Sequence, residues 1–241
     1  MASILDSFRE TFGDKFGFFK LLVFVIPLYF FYDQYSKGAA AFANVFIYIC
    51  ITAFFLFGFL IKTTNYVLNE EDSVMPPLNP LKLAWSAIKG FLAILPATWI
   101  SVSLANFVLK FVNTIDWVDN TLKTLAWLVV ASIVLTSFLM YVKEEKILDA
   151  FNMKTLAEKA GDIMLGIVFF VLQLVVINVP TTGVIGYSIY ILFGFGPLLN
   201  FFIAYAIIFN LIAACHYMAQ LQYEILGYDR QDLTMAVPKP E

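Results

Sequence analysis

Three polar side chains near the C-terminal end of the chain have a spacing that could support chemistry. His216, Gln220 and Glu224 follow one another at intervals of four residues, so a helix would stack them on one face. Such a ladder could hold a lipid headgroup or a basic side chain of a partner, or act on lipid headgroups as an enzyme. The same pattern is typical of the water-exposed end of a membrane helix, so both interpretations stay open.

Patterns typical of other catalytic, metal or cofactor sites do not occur in the sequence. His216 is the single histidine, and Cys50 and Cys215 belong to no metal-binding or disulfide spacing. There is no Gly-x-Ser-x-Gly nucleophile motif and no glycine-rich phosphate loop. The net charge of -3 and the scattered basic residues give no sign of nucleic-acid binding. We therefore expect no enzymatic activity, no cofactor, no metal and no nucleic-acid partner.

The composition indicates that membrane-spanning helices position these side chains. Hydrophobic residues make up 61% of the chain and charged residues only 14%, whereas soluble domains are about 25% charged. Long apolar runs such as "VFIYICITAFFLFGFLI" do not alternate, which argues against the strands of a transmembrane β-barrel. The sequence predicts six spans, at about residues 16–32, 39–61, 90–109, 124–142, 163–179 and 197–219.

The predicted fold is an all-α membrane protein in which six transmembrane helices form three hairpins. Residues 1–227 form a single polytopic domain in this prediction, and residues 228–241 form a polar cytoplasmic tail. With six spans, the side shared by both termini carries twelve basic residues, and the opposite side carries three: Lys37, Lys110 and Lys123. The positive-inside rule therefore predicts cytoplasmic termini in a cell (inner) membrane.

The most polar segment, "KEEKILDAFNMKTLAEKAGD" at residues 143–162, joins the fourth and fifth spans. Its apolar side chains recur at helical spacing, and Thr155 with Glu158 forms a capping signature. We expect two short amphipathic helices at the membrane surface. They are a candidate docking surface, and a solvated connector with no binding role is the alternative. The docking candidates are Phe151, Lys143, Lys146, Lys154 and Lys159.

Similar amphipathic segments precede the first and third spans. Ile4, Phe8 and Phe12 form an apolar stripe before the first span. Before the third span, Asn79 is predicted to cap a helix that begins at Pro80. Each odd-numbered span is thus preceded by an amphipathic segment on the predicted cytoplasmic side.

The stretch at residues 181–196, "TTGVIGYSIYILFGFG", separates the last two predicted spans and contains four glycines. It is apolar and uncharged, so a turn at membrane depth or at the interface fits its composition. A pore loop or substrate gate is one interpretation, and an outward-facing hairpin that caps the helices is the other.

Polar groups inside the predicted spans are amides and hydroxyls, because no Asp, Glu, Lys or Arg lies in the middle of any span. Hydrogen bonding between helices is the usual role of such groups. The alternative is that some of them line a path for a neutral solute. The lining or helix-packing candidates are Asn106, Gln173, Asn200 and Asn210.

Several motifs carry a family resemblance: "GFLIKTTNYVLNEED" at the end of the second span, "AIKGFLAILP" in the third and "CHYMAQLQYE" in the sixth. Over most of residues 1–227, the chain resembles a family of prokaryotic multi-span integral membrane proteins known as a domain of unknown function. Gly58, Lys62 and Asn65 match residues that end that family's second span, and Pro76 matches a Leu-Pro before its third. The acidic and aromatic residues expected next are replaced by "PLNPLK". The resemblance implies a helical membrane fold and no catalytic residues.

These observations favour a non-enzymatic membrane subunit or scaffold. It would pack with membrane lipids and with other membrane protein subunits or copies of itself, and it would present its cytoplasmic amphipathic segments to them. The alternative is a channel or carrier for a neutral or apolar solute. Membrane lipids and protein subunits are the expected partners in the first case.

Overall fold

The structure is a computed structural model that describes residues 4–14, 17–36, 39–69, 75–110 and 116–226. Every regular element in these ranges is helical. The predicted polar tail at residues 228–241 lies outside the described residues. The helices are α1 Ile4–Gly13, α2 Gly17–Ser36, α3 Ala39–Leu68, α4 Pro80–Leu109, α5 Asp116–Glu144, a 3-10 helix Ile147–Phe151, α6 Met153–Asn178, a π-helical segment Val179–Gly183, α7 Val184–Phe193 and α8 Pro197–Leu226.

Six helical stretches within the described ranges are long and apolar enough to cross a membrane, which confirms the predicted class and number of spans. They are Gly17–Tyr35, Val45–Leu68, Pro80–Leu109, Val118–Glu144, Met153–Phe193 and Pro197–Gln222. The arrangement as three hairpins stays a prediction, although α2 packs against α3. The protein is therefore a multi-pass membrane protein by the length and apolar character of its helices.

The third and fifth spans begin earlier than the sequence predicts. Helix α4 starts at Pro80, where the Oδ1 atom of Asn79 accepts a hydrogen bond from the N–H of Lys82 at 3.2 Å. This confirms Asn79 as the cap and Pro80 as the first helical residue. The helix then continues to Leu109, so the predicted surface segment and the third span form one helix.

The connector, residues 143–162, contains one short helix of its own, where two were predicted. After α5 ends at Glu144, Glu145 takes a left-handed φ of 52°, and a 3-10 helix follows. The Oδ1 atom of Asn152 then accepts the N–H of Thr155 at 3.3 Å, and α6 runs from Met153 to Asn178. The prediction of a separate second helix is wrong, because no residue between Met153 and the fifth span breaks the helical pattern.

The glycine-rich stretch at residues 181–196 is helical over most of its length. A π-helical segment and α7 extend the fifth span to Phe193, and only residues 194–196 lie outside helices. Pro180 accounts for the change of register, because it lacks an N–H and its ring excludes the carbonyl group one turn earlier. Gly194, with a φ of 70°, ends α7, whereas Gly183 and Gly186 stay helical because glycine permits a turn without imposing one.

The chain divides into two compact units. The N-terminal unit comprises Ser3–Ile88 and Phe170–Tyr217. In it, α3 and α4 approach so closely at Gly58 that an added Cβ would lie 2.9 Å from the carbonyl carbon of Leu83 and 3.3 Å from the Cβ of Ala87. The rings of Phe24 and Phe59 are 5.1 Å apart beside this crossing and are almost fully buried.

An internal ion pair ties the start of α2 to Met75, five residues before the start of α4. The Nζ atom of Lys20 lies 3.1 Å from Oδ1 of Asp14 and donates to the carbonyl oxygen of Met75 at 2.6 Å. The other carboxylate oxygen of Asp14 accepts the N–H of Met75 at 2.8 Å. The ammonium group of Lys20 is therefore held by protein groups on both sides.

The central unit comprises Lys89–Phe169 together with the described residues 218–226. In it, α6 and α8 meet where a Cβ on Gly166 would lie 2.9 Å from the side chain of Leu221. The side chain of Gln222, fully buried, donates to the carbonyl oxygen of Leu139 at 2.7 Å. Ser137 likewise donates to the carbonyl oxygen of Ala150 at 3.2 Å and so fixes the 3-10 helix against α5.

Candidate functional site

A reciprocal pair of amides lies on neighbouring helices of the N-terminal unit. The Nδ2 atom of Asn178 on α6 donates to Oδ1 of Asn210 on α8 at 3.0 Å, and the Nδ2 atom of Asn210 donates back at 3.1 Å. The hydroxyl of Thr182 adds a 2.8 Å hydrogen bond to Oδ1 of Asn178. This cluster, which we call the amide pair, holds three polar side chains within helices that are otherwise apolar.

The amide pair also uses its remaining donor hydrogens. Each asparagine donates to a carbonyl oxygen of its own helix, Asn178 to Leu174 at 3.1 Å and Asn210 to Ala206 at 2.8 Å. The amide groups are therefore satisfied by protein, and their hydrogen bonds hold two helices together. The side chain of Asn210, one of the predicted lining candidates, therefore takes part in helix packing. Its partner Asn178 was not among the candidates predicted from the sequence.

The other lining candidates have different surroundings. In the N-terminal unit, Asn200 lines a small pocket of about 190 Å³ with Phe31 and Ile203, and Asn210 is not among the residues of that pocket. Gln173 is half-buried on α6. In the central unit, Asn106 is exposed and lines a shallow recess that includes Lys110 and Lys123.

The histidine contacts α1. The Nδ1 atom of His216 lies 3.0 Å from Oγ of Ser7, and its Nε2 atom lies 2.5 Å from a carboxylate oxygen of Glu10. The rings of Phe8 and Phe12 pack on Phe209, two turns of α8 closer to its start, with centroids 5.1 and 4.3 Å away. Two polar and two aromatic contacts therefore fasten α1 to α8.

These contacts have the residue types of a serine, histidine and acid relay, but their burial argues for a structural role. Both hydrogen bonds to the ring of His216 are short enough for proton transfer. Ser7, however, is fully buried and the His216 side chain is only 4% exposed, so the carbonyl group of a substrate has no access to the hydroxyl. Gln220 is half-buried and Glu224 is exposed farther along α8.

The residues that contact His216 are not members of the i, i+4, i+8 pattern that drew attention to it. Ser7 and Glu10 are more than 200 positions away in the sequence, and they sit one turn apart on the short helix α1. A signal was present, because Ser7 and Glu10 are polar residues three positions apart, the spacing that puts two side chains on one side of a helix. It could not identify the partner, because helical periodicity relates residues of one helix only.

The docking candidates of the connector differ in their exposure and ion pairing. The side chain of Glu144 forms an ion pair with Lys146, and this hydrogen bond and charge raise the pKa of Lys146. Lys143 is half-buried at the end of α5. Lys154 and Lys159 form no ion pair with any residue in the described part of the chain.

The apolar candidate Phe151 is half-buried, and the large apolar side chain that the connector exposes most is Leu148, at 82%. Ala150, between them, is fully buried. Phe151 is therefore partly covered by the protein, whereas Leu148 is available to contact a membrane or a partner. Sequence periodicity grouped both residues on one amphipathic surface, and it could not show that other parts of the protein partly cover Phe151 and leave Leu148 exposed.

Comparison with protein-family models, with curated proteins and with solved structures finds no match to this chain. The family resemblance carried by Gly58, Lys62 and Asn65 therefore stays an expectation from the sequence. Function is argued below from the amide pair, the contacts of α1 and the connector.

Proposed function

We propose that this protein is a non-enzymatic integral membrane subunit or scaffold. It packs with membrane lipids and with other membrane protein subunits or further copies of itself, and it presents α1 and the connector to them. The amide pair is the observation that carries this proposal. Asn178 and Asn210 direct their polar groups at each other and at their own helices, which is how a packing interface, and not a solute path, uses amides.

The proposed orientation has both termini and the part of the connector before Met153 on the cytoplasmic side of an inner membrane. It rests on the count of twelve basic residues against three on the two sides of the six spans. The lysines of the connector contribute four of those twelve. In this orientation the short helix α1 and the 3-10 helix of the connector lie on the same side of the membrane.

Leu148 is the proposed anchor of the docking surface. It is 82% exposed, it lies outside the helices that could span the membrane, and Ser137 and the buried Ala150 hold its short helix in place. A large apolar side chain held on a rigid element at a membrane surface inserts into the headgroup region or into a pocket of a partner. The scaffold proposal commits to a protein partner at this position.

Photo-crosslinking from this position tests the scaffold proposal. A photoreactive phenylalanine analogue replaces Leu148 in the full chain in native membranes, and the mass of the crosslinked products is determined after irradiation. We expect a discrete product in which a second polypeptide is joined to the protein. The control places the same analogue at Val176, which is 71% exposed on α6 within a span and should label lipid. Products at position 148 that contain only lipid would contradict the proposal.

The alternative function is a channel or carrier for a neutral or apolar solute. One observation favours it, a cavity of about 460 Å³ between helices of the central unit. Vesicles that contain the purified protein distinguish the two functions by the flux of small neutral solutes. The scaffold proposal predicts flux no greater than in empty vesicles, and flux that falls when Asn106, Gln173, Asn200 or Asn210 is replaced by Leu would establish the alternative.

A further inference from the structure

The 460 Å³ cavity of the central unit lies among α4, α5, the 3-10 helix and α6. Its volume is within the range of about 300 to 1,000 Å³ that ligand pockets occupy. Two of its lining residues are also strongly exposed, Leu104 at 59% and Met153 at 57%. The cavity therefore opens on the outer surface of the helices, and at membrane depth that surface faces lipid.

The polar groups of the lining are already satisfied, so the cavity suits an apolar occupant. Its hydroxyls belong to Ser101 on α4 and Ser132 on α5. Ser101 donates to the carbonyl oxygen of Ala97 at 2.6 Å, and Ser132 donates to that of Val129 at 2.8 Å. A polar ligand would lose its hydrogen bonds to water and gain none in the cavity, whereas a hydrocarbon has no such hydrogen bonds to lose.

The depth of the cavity matches one leaflet of a bilayer. Its lining on α6 begins at Met153, beside the connector, and ends at Met164. Eleven residues of helix rise about 16 Å, and half of a hydrocarbon core is about 15 Å thick. The cavity thus extends from the membrane surface to about the middle of the bilayer, which is the path of a single acyl chain.

Small residues on α6 contribute to this space. Ala157, Ala160 and Gly161 all line the cavity, and a Cβ added to Gly161 would have no atom within 4 Å outside its own helix. A larger side chain at position 161 therefore has room to enter the cavity. This gives a direct way of filling the space that the ligand would occupy.

A cationic side chain stands at the surface end of the same stripe. Lys154, Ala157 and Gly161 are spaced i, i+3 and i+7 on α6, so they follow one another along one side of the helix. Lys154 is exposed and forms no ion pair with any residue that the structure describes. A lysine near a membrane surface attracts anionic headgroups.

We infer that this cavity binds one acyl chain of an anionic phospholipid, whose headgroup phosphate lies beside Lys154. The lipid enters sideways from the leaflet that contacts the connector, past Met153. The inference goes beyond the scaffold role. It depends on the insertion of the chain in a bilayer and not on a protein partner at Leu148, so the two proposals can fail separately.

The test uses the full-length protein in phosphatidylcholine vesicles that contain a small fraction of a photoreactive phospholipid with a diazirine in the middle of one acyl chain. The probe carries either a phosphatidylglycerol or a phosphatidylcholine headgroup. After irradiation and digestion, mass spectrometry maps the lipid adducts. We expect adducts on cavity residues of α4 and α6, about fivefold more frequent with the phosphatidylglycerol probe, which is the preference that one surface lysine provides.

Matched variants separate binding in the cavity from labelling of the outer surface. Gly161→Leu should remove the cavity adducts with both probes, and Ala160→Leu repeats the test in case the first variant does not fold. Val168→Leu places the same leucine side chain on an exposed position of α6 away from the cavity and should leave the adducts unchanged. Lys154→Gln should remove the fivefold preference, whereas Lys159→Gln, with an equally unpaired lysine outside the stripe, should keep it.

Three results would overturn the inference. One is the absence of adducts on the cavity residues while adducts form on exposed residues of the spans. Another is labelling that Gly161→Leu and Ala160→Leu leave unchanged in correctly folded protein. The third is equal labelling by the two headgroups, which would remove the anionic lipid as the specific occupant.

Discussion

The side-chain amides of Asn178 and Asn210 exchange two hydrogen bonds, 3.0 and 3.1 Å long, between two membrane helices. Both side chains are only half-buried, so each would contact lipid or a partner if the other were removed. An amide in hydrocarbon without a partner is costly, and pairing removes this cost. Each asparagine therefore needs the other to keep its side-chain amide hydrogen-bonded.

Breaking the amide pair should destabilise the helix packing. Asn178→Leu and Asn210→Leu should each lower the free energy of unfolding by about 1 kcal/mol, the scale measured for hydrogen bonds between membrane helices. The double variant should cost less than the sum of the two, because the second substitution removes an amide that has already lost its partner on the other helix. The free energy of unfolding of the two single variants and the double variant is measured in mixed micelles. Asn106→Leu, a substitution at an exposed position, is the control. Losses of unfolding free energy that are strictly additive would contradict a direct interaction between the two amides.

The crossing of α3 and α4 should not tolerate a methyl group. In Gly58→Ala the new Cβ would meet the backbone carbonyl of Leu83, which cannot rotate away, so the helices must separate. We expect a loss of about 1 to 3 kcal/mol, typical of overpacking, visible as a lower thermal midpoint in detergent. Gly161→Ala is the matched control, since its Cβ meets open space and alanine favours a helix. Equal midpoints for the two variants would show that the crossing is looser than described.

The ion pair of Lys20 and Asp14 should contribute far more than the ion pair of Lys123 and Asp119. Asp14 is fully buried and Lys20 only 17% exposed, whereas the Lys123 side chain is 49% exposed. Asp14→Ala removes a fully buried carboxylate that lies 3.1 Å from the ammonium group of Lys20 and should cost about 3 to 5 kcal/mol. Asp119→Ala removes an exposed i, i+4 pair and should cost about 0.5 kcal/mol or less. Unfolding free energies that are equal for the two variants would refute this ranking.

The contacts of His216 should control the docking of α1. His216→Leu removes hydrogen bonds to Ser7 and Glu10, so α1 should detach more often. Cleavage by trypsin at Arg9, an exposed residue of α1, should become about tenfold faster, the effect of a loss of roughly 1.4 kcal/mol. Glu224→Gln, an exposed change farther along α8, is the control. Cleavage that is equally slow in both variants would mean that the aromatic contacts alone hold α1.

The spans could be predicted from the sequence because apolar length is a property of each segment by itself. The cap at Asn79 and the start of α4 at Pro80 were also predictable, since both depend on residues within one turn. The glycines of residues 181–196 misled the prediction, because glycine allows either a turn or a helix. In that stretch, Gly194 alone has a positive φ.

The contacts of the candidate site were beyond prediction because they join residues distant in the sequence. Asn210 was identified as a polar group in a span, but its partner Asn178 depends on which helices meet. The same holds for Ser7 beside His216 and for Met75 beside Lys20. The cavity depends on small residues of three helices facing one space, and no single helix shows that pattern.

The orientation of the connector is the central claim, because the docking surface and its partners require the cytoplasmic side. In a chain with Cys50 and Cys215 replaced by Ala, single cysteines are introduced as Lys154→Cys and Lys123→Cys at two exposed positions. Intact cells are then treated from outside with a membrane-impermeant maleimide. The proposed topology predicts labelling at position 123 and none at position 154 until the membrane is opened. Labelling at position 154 in intact cells would contradict it.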